Sequence, residues 1–148
     1  MTQYEKSAAT LELPAILAML ARHAVSDAAK ERALAVSPST DAATVKRLLA
    51  ETSAARGMMV KRGGPSFSGV KDVRASLSRA DMGGCLNIRE LMDIAGVLGA
   101  ARQARSYAAG DGRGNEKTCI DGLFNSLITN RFLEDKITGS IAGEDELA

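Results

Sequence analysis

"NIRELMDIAGVLGAARQAR", residues 87–105, is the stretch on which the fold turns. Asn87 followed three residues later by Glu90 is a capping-box start, in which each side chain can accept from the other's backbone N–H. Leu91, Ile94, Ala95, Leu98 and Ala101 then recur at three- and four-residue spacing and so share one helical face. Gly96 and Gly99 lie inside that run. A glycine in a helix interior costs roughly 1 kcal/mol relative to alanine, so the pair predicts a place where a neighbouring backbone comes close. A contact between two copies of the chain is the alternative use of the same small residues.

The helical period continues on both sides. Upstream, "VSPSTDAATVKRLLAETSAA", residues 36–55, offers Ser39 or Thr40 as a cap and Asp41 as a complement to the helix dipole. Val45, Leu48, Leu49, Thr52, Ala55 and Met59 follow as the face expected to be buried, on a helix of about five turns. "RGGPSFSG", residues 62–69, breaks it, and a shorter helix with Val70, Val73, Leu77 and Ala80 on one side runs up to Gly83 and Gly84. Nearer the start, Pro14 suits the first turn of a helix reaching about residue 24, with Ile16, Leu17, Leu20, Ala21 and Ala24 on one face. Ser26 caps "DAAKERAL", which must stop before Pro38 because the residue preceding proline disfavours the helical region.

Downstream, "AGDGRGNEK", residues 109–117, is a loop, and Ile120, Leu123, Phe124, Leu127 and Ile128 predict a final well-patterned helix. Residues 1–9 are expected to be disordered. Residues 132–148 read as a poorly patterned tail and as the point where a longer chain would have been cut. The whole, 1–148, is expected to form a single helical domain. Composition agrees: 45% hydrophobic residues suffice for a core, while 3% aromatics, no Trp and short β-branched runs favour an all-α fold packed through small aliphatic side chains.

The net charge of +1 is unevenly spread. Residues 56–105 carry nine Lys/Arg against four Asp/Glu, whereas residues 132–148 carry one Lys against five acids. Lys71, Arg74 and Arg79, beside the glycine-rich loop, are the best candidates for phosphate contacts, although a solvated basic helix face explains them as well. Only Phe67 lies near them, so stacking on single-stranded bases is poorly supported. Cys85 and Cys119 stand far apart without a surrounding Cys/His cluster, which reads as two reduced thiols and neither a disulfide nor a metal site. The absence of a basic leader followed by an apolar run, and of any membrane-length apolar stretch, predicts a soluble, cytoplasmic protein with no membrane partner.

Catalytic constellations are not visible. "GDGRGNEKT" ends in Lys117-Thr118 like a phosphate-binding loop, but Glu116 stands where glycine must precede the lysine, and a helix replaces the strand that should lead in. His23, the single histidine, sits near a helix C-terminus, where a cation meets the favourable pole of the dipole. No Ser/His/Asp or Cys/His set assembles, so catalytic, metal and cofactor sites are expected to be absent from this chain.

"PSTDAATVKRLLAETSAA", with Pro38, Asp41, Val45, Leu48, Leu49, Glu51 and Thr52, resembles the N-terminal core region of the bacterial MutS-like proteins, in their Smr-bearing endonuclease branch. "LELPAILAMLARHAVSDAAKERAL" looks like the opening helices of that family, and "GVKDVRASLSRADMGGCL" and "LMDIAGVLGAARQAR" look like the segments that follow, so the resemblance covers about residues 10–148. Leu13 and His23 stand where the family usually has an aromatic, and Ala29 where it has glycine. The resemblance implies an all-α domain like the base from which the nucleic-acid-clamping levers of MutS proteins rise. It implies a dimeric parent, related to DNA mismatch repair proteins, that uses ATP and Mg²⁺ and acts on DNA or ribosomal nucleic acid as an endonuclease. This chain itself would be a non-catalytic structural part of that parent. An autonomous α-helical protein-interaction module is the competing reading.

Overall fold

In the computed structural model the described residues are 3–110, 117–143 and 146–147. They form eight helices and one short antiparallel ladder, so the fold is all-α. The chain divides into two compact units, Met1–Pro38 and Ser39–Ala148, where the sequence pattern predicts one. The division falls at the Pro38 break.

The first unit holds α1 (Gln3–Thr10), α2 (Leu13–Arg22) and α3 (Asp27–Leu34). Residues 3–10, expected to be disordered, are helical: Ala8 and Ala9 favour the helix, and the N–H groups of Leu11 and Glu12 close its last turn on Ser7 and Ala9. Glu12 then takes a left-handed conformation, φ 56°, which turns the chain into α2, where Pro14 fills the first turn as expected. Ser26 does cap α3, its Oγ accepting from the N–H of Ala29 at 3.3 Å. Among the described residues of this unit Ala21 is the one that is buried, and α2 packs against both α1 and α3.

The second unit is arranged around one long helix. It comprises α4 (Ala42–Arg62), α5 (Arg74–Asp81), α6 (Ile88–Ala109), α7 (Asp121–Asn125), α8 (Arg131–Gly139), and the strands β1 (Ile141–Gly143) and β2 (Glu146–Leu147). The capping box at the head of α6 is complete: Asn87 Oδ1 accepts from the N–H of Glu90, and Glu90 Oε2 accepts from that of Asn87, both at 2.9 Å. Small residues let neighbours close on this helix. A Cβ added at Gly96 would stand 2.9 Å from the carbonyl oxygen of Gly69, and one at Gly99 would stand 3.1 Å from Glu134 Oε1. The buried residues Ala95, Gly99, Ala100 and Ala104 continue that surface. The two interior glycines thus serve packing within the unit.

Three expectations are corrected here. The cap of α4 is Asp41, not Ser39 or Thr40; its Oδ2 accepts from the N–H of Thr44 at 2.8 Å while Ser39 Oγ accepts from Asp41's own N–H. The helix expected to continue through Leu127 and Ile128 is the five-residue α7, because Ser126 closes it and Asn130, four residues on, starts a new helix by accepting from the N–H of Leu133. The tail expected to be poorly patterned therefore begins with a real helix, α8, which packs along α6 and buries Ile137. Nine residues are too few for periodicity to be conspicuous.

The covered face of α4 is also displaced. Met58 is 7% exposed and Thr44, Val45, Glu51, Ala54 and Ala55 are half-buried, so Val45 and Ala55 of the expected face are partly covered, whereas Leu48 is 46% and Leu49 61% exposed. Among the described residues of this unit, the helices whose backbones pack most closely are α6 with α8 and α6 with α7. α4 meets α6 through side chains and through a clasp at their C-terminal ends. There the Arg62 guanidinium donates to the carbonyls of Tyr107 and Ala108, each at 3.0 Å, and the Tyr107 hydroxyl donates back to the carbonyl of Gly63 at 2.8 Å.

Candidate functional site

The cations singled out in the sequence lie along α5 and the segment before it. Arg74 is held by Asp72, its Nε donating to both carboxylate oxygens at 2.8 and 3.1 Å and its Nη2 to Oδ2 at 2.5 Å. That pairing, led by the hydrogen bonds from Arg74, lowers the Asp72 carboxyl to about 2. Arg79 reaches across to Glu90 on α6, and Ser76 Oγ donates to the same carboxylate at 3.1 Å. Glu90 is therefore a hub, held below the ordinary carboxylate range first by the Asn87 N–H of the capping box and then by Arg79 and Ser76. Lys71 is exposed and has no carboxylate partner among the described residues. The structure thus brings Lys71, Arg74 and Arg79 to one short stretch but commits two of the three to intramolecular carboxylates.

A second inter-helix tie lies on the other side of α6. Arg102 grips Glu134 of α8 bidentately, Nε to Oε2 at 3.0 Å and Nη2 to Oε1 at 2.7 Å, which lowers the Glu134 carboxyl below its usual range and raises the Arg102 guanidinium. Arg105 donates to the carbonyl of Leu127 at 3.2 Å, holding the α7–α8 connection to the same helix. Fork geometry makes arginine suited to such planar pairs. Four of the nine Lys/Arg in residues 56–105 tie α6 to its neighbours: Arg102 and Arg105 from α6 itself, Arg62 from α4 and Arg79 from α5.

The described residues do not fit a nucleotide loop at "GDGRGNEKT". Thr118, whose hydroxyl would serve a metal ion in such a loop, donates it to Asp121 Oδ1 at 2.6 Å, and Asp121 Oδ2 accepts the Thr118 N–H at 3.1 Å. Those hydrogen bonds hold the Asp121 carboxyl below its ordinary range. The helix that follows is only five residues long, and the glycine-rich positions 111–116 lie outside the described residues. Among the described residues no group of three or more His, Cys, Asp and Glu could hold a metal ion, and no helix is long and apolar enough to cross a membrane. His23 follows α2 as its C-cap residue, exposed, its N–H closing the last turn on Leu20 and Ala21. Cys85 and Cys119 are exposed free thiols.

A feature that sequence reading missed is an apolar groove of about 530 Å³ on the second unit. Its floor is small, Ala55 and Ala104, beside Met58. Its walls are Met59 of α4, Phe67 of the glycine-rich loop, Tyr107 of α6, and Leu123, Phe124 and Leu127 of the α7 region. Tyr107 and Phe124 meet with ring centroids 6.3 Å apart, in a tilted arrangement. The signal was present only as residues from four separate segments, none of which marks a groove by itself.

No protein-family model matches the chain. Curated proteins named endonuclease MutS2 do. The one from Ruminiclostridium cellulolyticum is 38% identical over 144 residues, 97% of this chain, and the one from Acetivibrio thermocellus is 39% identical over 145 residues, again 97%. The protein from Agathobacter rectalis is 35% identical over 139 residues, 94% of this chain. In each case the chain spans 18% of the relative's own length. Nearly the whole chain is thus similar to a segment, about a fifth in length, of proteins of a single name, endonuclease MutS2.

Proposed function

We propose that the chain is a non-catalytic structural domain at the N-terminal end of a MutS2-type protein, serving as the base on which the longer protein's moving parts are mounted. The observation that carries this reading is the use of polar side chains around α6: Glu90, Arg102, Arg105 and Tyr107 each fasten it to a different neighbouring segment. A helix fastened along its whole length can pass a displacement from one end to the other without bending at each contact. The parent is then a cytoplasmic, homodimeric, ATP- and Mg²⁺-dependent endonuclease that binds DNA or ribosomal nucleic acid. Its nucleotide and its nuclease chemistry belong to segments outside this chain.

Two measurements on the 148-residue chain test the reading. Titration calorimetry with ATP and Mg²⁺ is expected to give no saturable micromolar binding, because Thr118 is bound to Asp121 and Glu116 displaces the required glycine. A gel-shift titration on duplex and branched DNA at low salt is expected to give at most weak, salt-sensitive binding, because Arg74 and Arg79 are already paired within the chain. Any shift should diminish for all sequences alike when Lys71, Arg74 and Arg79 are changed together to Ala, since phosphate contacts do not read bases. Tight ATP binding, or tight sequence-selective DNA binding, would replace a scaffold with an active domain.

A further inference from the structure

We infer that Glu90 is an autoinhibitory contact: it occupies Arg79 as a phosphate would, and so withholds that cation from a nucleic-acid backbone until the pair opens. The device rests on the reading above and deepens it, giving the weak phosphate surface around α5 its regulation. Its first support is that the Glu90 carboxylate is fixed without help from Arg79. Oε2 accepts from the N–H of Asn87 at 2.9 Å and Oε1 from the Ser76 hydroxyl at 3.1 Å, and the side chain is only 20% exposed. A carboxylate placed in advance by other donors offers the guanidinium a partner that needs little further ordering.

The path of the arginine stem is the second support. A Cβ added at Gly84 would stand 2.6 Å from Arg79 Cγ and 3.4 Å from its Cδ, so the stem crosses a place that a side chain at residue 84 would fill. The N–H of Gly84 donates to the carbonyl of Arg79 at 2.9 Å, which holds that crossing against the end of α5. Arg79 nevertheless keeps 48% of its side chain exposed, so it is within reach of a ligand once it leaves Glu90. Carboxylate and phosphate oxygens compete for the same fork of N–H donors. A lone phosphate has only Arg79 to win. A phosphodiester backbone that already meets the exposed, unpaired Lys71 brings further phosphates to Arg79 at high effective concentration, so the contact favours the polymer over the free ion.

The test titrates labelled duplex DNA, and duplex RNA of the same sequence, with the 148-residue chain over a series of low salt concentrations. Glu90→Gln keeps the helix cap, because glutamine also serves in a capping box, but it cannot ion-pair with Arg79. Gly84→Ala crowds the arginine stem out of its path and leaves the net charge unchanged. Each variant is expected to raise the affinity about two- to fivefold, the worth of an exposed ion pair. Each should also steepen the fall of log affinity with log salt by about 0.9, the mark of one more phosphate neutralised. In an Arg79→Ala background neither change should give a gain. Circular dichroism checks that every variant keeps its helix content. Equal gains on DNA and RNA assign the contact to the backbone common to both, and a gain on one alone assigns the source of the phosphate. No gain from either folded variant, a gain from Glu90→Gln that persists with Arg79→Ala, or no binding by any of these chains at low salt would overturn the proposal. The scaffold reading is tested on the unchanged chain, by ATP and by sequence-selective binding, so the two can fail separately.

Discussion

The close approach of Gly96 on α6 to Gly69 gives a prediction whose sign can be worked out. Replacing Gly96 by Ala has two effects. It removes the conformational freedom of a helix-interior glycine, which by itself stabilises by about 0.8–1 kcal/mol. It also places a methyl group 2.9 Å from the Gly69 carbonyl oxygen, and 3.7 Å from that residue's Cα and carbonyl carbon. The neighbour is backbone, in a residue whose φ of +83° already depends on its being glycine, so it cannot swing aside as the end of a side chain could. Overpacking of this kind costs about 1–3 kcal/mol. The net expectation is destabilisation by up to about 2 kcal/mol. Gly57, in the interior of α4, is the control, since a Cβ there would meet nothing within 4 Å, and Gly57→Ala should stabilise by up to about 1 kcal/mol. Gly99→Ala should fall between them, because its neighbour is the carboxylate end of Glu134 at 3.1 Å, which can yield only by loosening its grip on Arg102. Denaturant unfolding of the three variants, followed by circular dichroism, reads the order directly. If Gly96→Ala proved as stabilising as Gly57→Ala, the backbone contact between the loop and α6 would be wrong, and with it the account of why α6 carries glycine.

The displaced face of α4 predicts that Met58→Ala costs about 2–5 kcal/mol, as truncation of a buried side chain does, whereas Leu48→Ala and Leu49→Ala cost less than about 1 kcal/mol. Equal losses in the unfolding midpoint for Leu48→Ala and Met58→Ala would restore the face read from periodicity. Acid should loosen the α6–α8 tie: Glu134 titrates below its usual 4.5 when folded, so its contribution is complete above that value and is lost as pH falls through the lowered one. Unfolding midpoints of Glu134→Gln should therefore fall less steeply than those of the unchanged chain as pH drops below about 4.5, and parallel curves would mean that the Arg102 contact does not form in solution.

The local rules that start and stop helices were legible in the chain because their chemistry spans only a few residues. Asn87 and Glu90 form their box and Ser26 caps α3, as their spacing implies, and Gly83 takes the left-handed conformation just beyond α5. The same locality misled where two signals competed, as at Asp41 against Ser39 and Thr40, or at Ser126, where a run of apolar residues outlasts the helix. The all-α class and the family likeness were likewise readable, since both rest on pattern along the chain. Only the tertiary structure decided which apolar residues are covered. Periodicity places Leu48, Leu49 and Met59 on one stripe of α4, but burial depends on where α6 lies, and the clasp of Arg62 and Tyr107 brings it against Met58 instead. The basic residues follow the same logic: Arg79 finds Glu90 and Arg102 finds Glu134 across gaps that composition does not record, so a stretch rich in positive charge becomes a set of internal ties. The groove belongs wholly to this second level, because Ala55, Phe67, Ala104 and Leu123 become one surface only after folding has set their distances.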